Sequence, residues 1–157
     1  MLLRDIFPPE FIRVNLEAGD RNGAFEEMVG HLCSAGALGG REEILAAIME
    51  REAKMSTGIQ KGIAVPHGKT DAVGKICGVL GISRTGIDYD SLDGEPVYLL
   101  FMIVAPRDDT ESHLRILKQM AQLLENPQFQ TDLQSQNDPQ GAYRIICKYE
   151  KMRAAAE

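Results

Sequence analysis

The sequence predicts an α/β sandwich around a mixed β-sheet, and three observations predict it. Four strand-length runs are either alternating or wholly apolar: 12–16, 62–65, 75–83 and 97–105. Segments with helical apolar spacing lie between and after them. The two kinds mix without strict alternation, which argues against a regular doubly wound fold. At 157 residues, 44% of them hydrophobic, the chain is expected to form one domain over 1–157 with an ordinary core.

The elements follow in order. "IRVNL" at 12–16 alternates and reads as a strand. Asp20 offers an N-cap to an amphipathic helix running to about Ala35 and closed by Gly36. A second helix spans Arg41 to Lys54, with Ile44, Leu45, Ile48 and Met49 as its apolar stripe. "GIAV" at 62–65 is a short strand ending at Pro66, and "KICGVLGIS" at 75–83 is another. "GIDYDSLDGEP" at 86–96 reads as a polar turn region with one alternating edge. "VYLLFMIVA" at 97–105 is nine residues without a charge, the pattern of a strand covered on both faces. Thr110 or Ser112 can cap a helix to about Leu124. "NPQFQTDLQ" starts a short helix, and the last carries Ala142, Ile145, Ile146 and Tyr149 at helical spacing.

Composition narrows the function. The net charge is −6, from 17 basic and 23 acidic residues, with no basic stripe, so nucleic acid is not an expected partner. No run of eighteen apolar residues suggests a membrane span. The start "MLLRDIFPPEF" carries an acid and two prolines where a signal peptide needs an apolar core, so a cytoplasmic location is expected. Cys33, Cys77 and Cys147 are odd in number and far apart, which suits free thiols. No CxxC or HxxxH pair suggests a metal, and Asp88, Asp90 and Asp93 lack the later glutamate of a calcium loop. No cofactor is expected.

The stretch "STGIQKGIAVPHGK" at 56–69 is the least scaffold-like. Pro66 fixes φ and biases Val65 toward extended backbone. Gly68 permits close approach of a ligand or of another backbone. Between them His67, with an ordinary pKa of about 6.5, keeps a nucleophilic nitrogen at neutral pH. Such a nitrogen can take a phosphoryl group covalently. The plainer reading is a loop histidine hydrogen-bonded to a carbonyl. His113 falls in the first turn of its helix, in line with Leu117, Met120 and Leu124. It is either a satisfied core histidine or a second imidazole that assists the first, near a helix N-terminus that favours anions. Arg51 lies at the inward edge of its helix and either clamps phosphate oxygens or snorkels outward. Ser56 and Thr57 either donate hydroxyls to the same anion or cap a turn. Gly58 and Gly62 indicate tight backbone, without the spacing of a Walker loop. His31, mid-helix, is assigned no role. One nucleophile, an assisting imidazole, an arginine and hydroxyls, with nothing to hold ATP, suit a phosphocarrier charged by another protein.

"REAKMSTGIQKGIAVPHGK" resembles the active-site segment of the enzyme IIA domains of the bacterial sugar phosphotransferase system, of the fructose/mannitol and nitrogen-regulatory type. That pattern is R-E, four variable residues, T-G-I, then G-I-A-[IV]-P-H. "GIDYDSLDGEPVYLLFMIVAP" and "SHLRILKQMAQLL" resemble the segments that follow, so the likeness runs from about residue 3 to 150. It implies a mixed, mostly five-stranded sheet flanked by helices on both sides, the mannitol-type fold. It implies a histidine phosphotransferase with His67 as the phosphoryl-carrying residue, His113 as the assisting one, and Arg51 and Thr57 near the site. The implied donor is the phosphocarrier HPr or its nitrogen-branch paralogue, and the acceptor an enzyme IIB domain. Met55 stands where the family often has glycine, and Gln60 and Lys61 replace its I-G-[NH]-G; the R-to-T and T-to-H spacings are kept. The middle segment leans to the fructose type. "REAKM", and the expectation of a free-standing domain, lean to the nitrogen-regulatory type, in which phosphorylation controls protein binding. A third alternative is a scaffold with a decayed site, as in cytoplasmic domains of anion transporters.

Overall fold

In the computed structural model, residues 1–36, 38–58 and 60–156 are described. Ile59 of the T-G-I segment lies outside them. The helices are α1 (Leu3–Ile6), α2 (Arg21–Gly36), α3 (Arg41–Lys54), α4 (Thr110–Leu124), α5 (Pro127–Gln134) and α6 (Pro139–Ala156), and the strands β1 (Ile12–Arg13), β2 (Ile63–Ala64), β3 (His67–Lys69), β4 (Cys77–Ile87) and β5 (Val97–Ala105). A 3-10 turn at Pro9–Phe11 leads into β1. The sheet runs β1-β4-β5-β2, with β3 also on β5. Among the named strands of the described residues, β4 and β5 pair antiparallel while β1, β2 and β3 pair in parallel, so the sheet is mixed and five-stranded, as expected.

β5 organises both faces. Leu99, Phe101, Ile103 and Ala105 point into a core shared with α1, α4, α5 and α6. Leu100, Met102 and Val104 point into a second core shared with α2 and α3. Alternation of side chains across the pleat splits one apolar run between two layers of helix.

Several expectations need correction. β2 and β3 are one strand path interrupted at Val65–Pro66. Ile63 pairs with Leu99 and His67 with Ile103, so the register is unchanged across the gap. Pro66 has no N–H for the ladder but accepts from Ile103 N–H at 3.0 Å through its carbonyl. His67 therefore opens the resumed strand rather than following a finished one. β1 is two residues long, not five, although Leu16 N–H still donates to Ile82 O at 3.0 Å. β4 extends to Ile87 through Gly86, whose φ is +90°, into what read as turn. α4 is capped by Asp109, not by Thr110 or Ser112: Asp109 Oδ1 accepts from Ser112 N–H at 3.2 Å. Asp20 does cap α2, accepting from Gly23 N–H at 2.7 Å. The four-residue α1 gave no periodic signal. It is held instead by Glu150 of α6, which accepts from Leu3 N–H, Arg4 N–H and Arg4 Nε. Among the described residues no helix is long and apolar enough to cross a membrane.

Candidate active site

The strand path β2–β3, the last turn of α3 and the first turn of α4 meet at His67. Gly68 is what lets them meet. A Cβ there would lie 3.0 Å from the backbone carbon and oxygen of Ala47 and 3.2 Å from Ile48 N. The backbone that approaches Gly68 is thus this chain's own α3, not a ligand.

His67 is half-buried, and its Nδ1 lies 2.8 Å from Val65 O. A carbonyl can only accept, so Nδ1 carries the proton and the lone pair of the neutral ring sits on Nε2. The two sequence readings of His67 are therefore compatible, because the carbonyl bond is what frees the other nitrogen. Burial holds the His67 pKa below its ordinary value. The Val65 carbonyl opposes that shift, and Arg51 and Lys69 reinforce it.

His113 is buried at 4% exposure, its ring centroid 5.3 Å from that of His67 and tilted 56°. Burial first, then the charges of His67 and Lys69, push its pKa down to about 4. It is not a satisfied core histidine. Its Nδ1 is buried and makes no hydrogen bond among the described residues.

Two clefts share His67 as a wall. One, of about 620 Å³, is also lined by Arg51, Lys54, Lys69, Arg107 and His113. The other, of about 360 Å³, is mainly apolar, with Met55, Ile63, Leu117, Met120 and Leu124. Arg51 lines both; its Nη1 donates to Met55 O at 2.9 Å, closing the C-terminus of α3. Lys69 Nζ is held beside the start of α4 by Thr110 Oγ1 at 3.0 Å.

The hydroxyls are engaged within the chain. Ser56 Oγ accepts from Gly58 N–H at 3.1 Å, a turn bond, though Ser56 lines the apolar cleft. Thr57 is buried and donates both its N–H and its hydroxyl proton to Glu52, each at 2.7 Å. Its oxygen lies 2.8 Å from Tyr89 Oη. Its one proton is committed to the carboxylate, so Tyr89 is the donor in that second bond. Glu52 and Tyr89 were not singled out from the sequence. The signal for Glu52 was present: it continues the inward stripe Ile44, Ile48 by one more turn. Tyr89 sat within a segment that read as polar turn. Gly58 packs against it, since a Cβ at Gly58 would come 2.8 Å from Tyr89 Cδ1. Among the described residues no group of three or more His, Cys, Asp or Glu side chains is placed to hold a metal.

Two imidazoles, one with a free Nε2, set in a cation-lined cleft beside an apolar one, make a site fit for holding an anionic group. The family model for the phosphoenolpyruvate-dependent sugar phosphotransferase system, EIIA 2, matches residues 5–149, and the chain belongs to that family. It is 34% identical over 96% of its length to the fructose-specific EIIABC component of Bacillus subtilis, spanning only 24% of that longer protein. It is 39% identical to a fructose-specific EIIA component of Haloferax volcanii, covering 76% of this chain and 77% of that one. It is 30% identical to the nitrogen regulatory protein of Bradyrhizobium diazoefficiens, over 93% and 95% of the two chains. The crystal structure of nitrogen regulatory protein IIA-Ntr from Neisseria meningitidis superposes with a TM-score of 0.84 at 26% identity, covering 92% of this chain and 98% of that one. Enzyme IIA mannitol from Escherichia coli shares the fold, with a TM-score of 0.73 at 20% identity over 87% and 96% of the chains.

Proposed function

We propose that this EIIA domain is a histidine phosphotransferase that accepts a phosphoryl group on His67 Nε2 from HPr or its nitrogen-branch paralogue and passes it to an enzyme IIB domain. The observation that carries the reading is the Nδ1–H bond from His67 to Val65 O, which leaves Nε2 as the only basic nitrogen of that ring. In the step, the Nε2 lone pair forms a bond to phosphorus as the donor's P–N bond breaks and its electron pair returns to the donor imidazole. The proton stays on Nδ1 and is donated to the Val65 carbonyl, whose oxygen stabilises the positive charge that phosphorylation places on the ring. Arg51 from α3 and Lys69 from β3 line the cleft that would receive the transferring oxygens, and such a loose transition state needs mainly alignment and charge. His113, with its pKa pushed to about 4, stays neutral and can donate a hydrogen bond to the phosphoryl group without competing for it. Ser56 and Thr57 support the loop from the side of the apolar cleft. The same reading takes residues 1–157 as one domain acting in the cytoplasm.

A second reading rests on the near full-length similarity to nitrogen regulatory proteins. There the phosphoryl group, adding roughly −1.5 to −2 charge to the His67 face, controls binding to a regulatory protein rather than feeding sugar uptake. Labelled phosphate supplied from phosphoenolpyruvate through enzyme I and HPr tests both. Acid-labile, alkali-stable label that disappears in His67→Ala supports the carrier. Onward transfer to an enzyme IIB selects the transport branch. Label retained, with phosphorylation-dependent capture of another protein, selects the regulatory one. No label with any carrier returns the site to the decayed scaffold.

A further inference from the structure

We propose that Glu52 is a positioning residue for His67, acting through Thr57 and Val65 to hold the imidazole in the tautomer that leaves Nε2 free. The functional consequence rests on the reading of His67 as phosphoryl acceptor; the structural claim does not.

The path is continuous. Glu52 Oε2 accepts from Thr57 N–H and Oε1 from the Thr57 hydroxyl, both at 2.7 Å. Tyr89 Oη donates to the same hydroxyl at 2.8 Å, so Thr57 is fixed at three points. Thr57 O then accepts from Val65 N–H at 3.2 Å. The ladder to β5 runs through Gly62 and Pro66, so Val65 turns its N–H to the opposite edge, where the Thr57 carbonyl takes the place of a strand neighbour. Val65 O in turn accepts from His67 Nδ1–H at 2.8 Å. Thr57 and Val65 each use groups on different peptide units, so the coupling is one of position: fixing Thr57 fixes where the Val65 carbonyl points.

Four features separate this from ordinary packing. Glu52 is 4% exposed and lines neither cleft, so it has no direct reach to a bound phosphoryl group. A buried carboxylate is costly, and a chain needing only to fill this space would place an apolar side chain after Ile44 and Ile48. Two donors converge on it, one per oxygen, and a glutamine would turn an N–H toward one of them. Among the described residues Glu52 is the acid that raises the His67 pKa, against Arg51 from α3 and Lys69 from β3; His113 from α4 adjoins the ring, and Glu43, Glu50 and Asp71 line the same cleft.

The test is ¹⁵N NMR of the histidine rings in the unphosphorylated full chain across pH, for wild type, Glu52→Gln, Thr57→Val and Thr57→Ser. Wild type is expected to show His67 mainly as the Nδ1–H tautomer. Glu52→Gln and Thr57→Val should each raise the Nε2–H form several-fold and slow phosphoryl uptake about tenfold. Thr57→Ser should restore both. Glu52→Gln, but not Thr57→Val, should also lower the His67 pKa. Thr57→Val keeps the carboxylate and the Thr57 N–H bond, so it carries the test if Glu52→Gln does not fold. The His31 signals and circular dichroism serve as controls for the fold. A wild-type tautomer ratio in both variants overturns the proposal. So does slowed uptake with no tautomer change, because Glu52 would then only support the fold. A tautomer shift in a protein that takes no label from any carrier upholds the positioning role and rejects the phosphocarrier reading instead.

Discussion

The segments Val65–Lys69 and Asp109–His113 bring two imidazoles within 5.3 Å of each other, yet they hold them in opposite ways. In the first, the ring is tied to the backbone two residues earlier, and an interrupted strand path sets its direction. In the second, a helix cap sets the backbone, and the ring is buried with Nδ1 unpartnered. One ring has a fixed tautomer and an available nitrogen. Among the described residues the other has no partner to fix it and keeps an unsatisfied Nδ1, which is costly unless a ligand or partner meets it. On the proposed function, the same side chain is made into a nucleophile by one environment and a waiting hydrogen-bond partner by the other.

The sharpest way to break the comparison is to remove each ring in turn. His67→Gln should abolish acid-labile label from the phosphoenolpyruvate chain. His113→Gln should slow its uptake by about ten- to a hundredfold without abolishing it. Equal losses would mean that the two roles are not divided. Gly68→Ala comes next, because its Cβ would press on the Ala47 backbone. It should lower stability by ~1–3 kcal/mol in thermal unfolding and displace His67, slowing uptake in the folded fraction as well. Arg51→Lys keeps the charge but loses the planar fork. About a tenfold loss in transfer rate is expected, read by quench-flow with labelled donor.

The pH dependence gives the finer comparison. Both histidines have folded pKa values below their unfolded ones, so the unfolded chain binds protons first as pH falls. The stability that each neutral ring confers is complete above about pH 6.5 and is lost on acidification. For His113 the loss should extend down to about pH 4. It amounts to on the order of 2 kcal/mol, and His113→Gln should flatten that part of the urea-unfolding profile. The smallest effect is expected at Thr110→Val. It releases Lys69 Nζ and should change uptake only a few-fold, with a small rise in the His113 pKa as that ammonium moves away.

Much of this division was legible in the sequence and part of it was not. Pro66 and Gly68 mark His67 because their backbone restrictions are local. The uncharged run 97–105 gives the central strand because burial on both faces leaves a one-dimensional trace. The nitrogen of His67 that stays free was not legible, since it depends on the Val65 carbonyl turning away from β5 toward the ring. Nor was the environment of His113, which comes from two elements over forty residues apart in sequence that only the sheet brings together. Thr57 read as a hydroxyl donor to an anion or a turn cap. Its commitment to Glu52 and Tyr89 needs α3 and the segment after β4 packed against one loop. A carboxylate on an otherwise apolar helix stripe was the trace that pointed there.

The most direct test of the divided pair is ¹⁵N and ³¹P NMR of the phosphorylated protein with labelled histidines. The phosphorus should couple to Nε2 of His67, with Nδ1 still protonated and its proton shifted downfield by the Val65 carbonyl, while His113 remains a neutral ring. Phosphorus on Nδ1 of His67, or on His113, would contradict it.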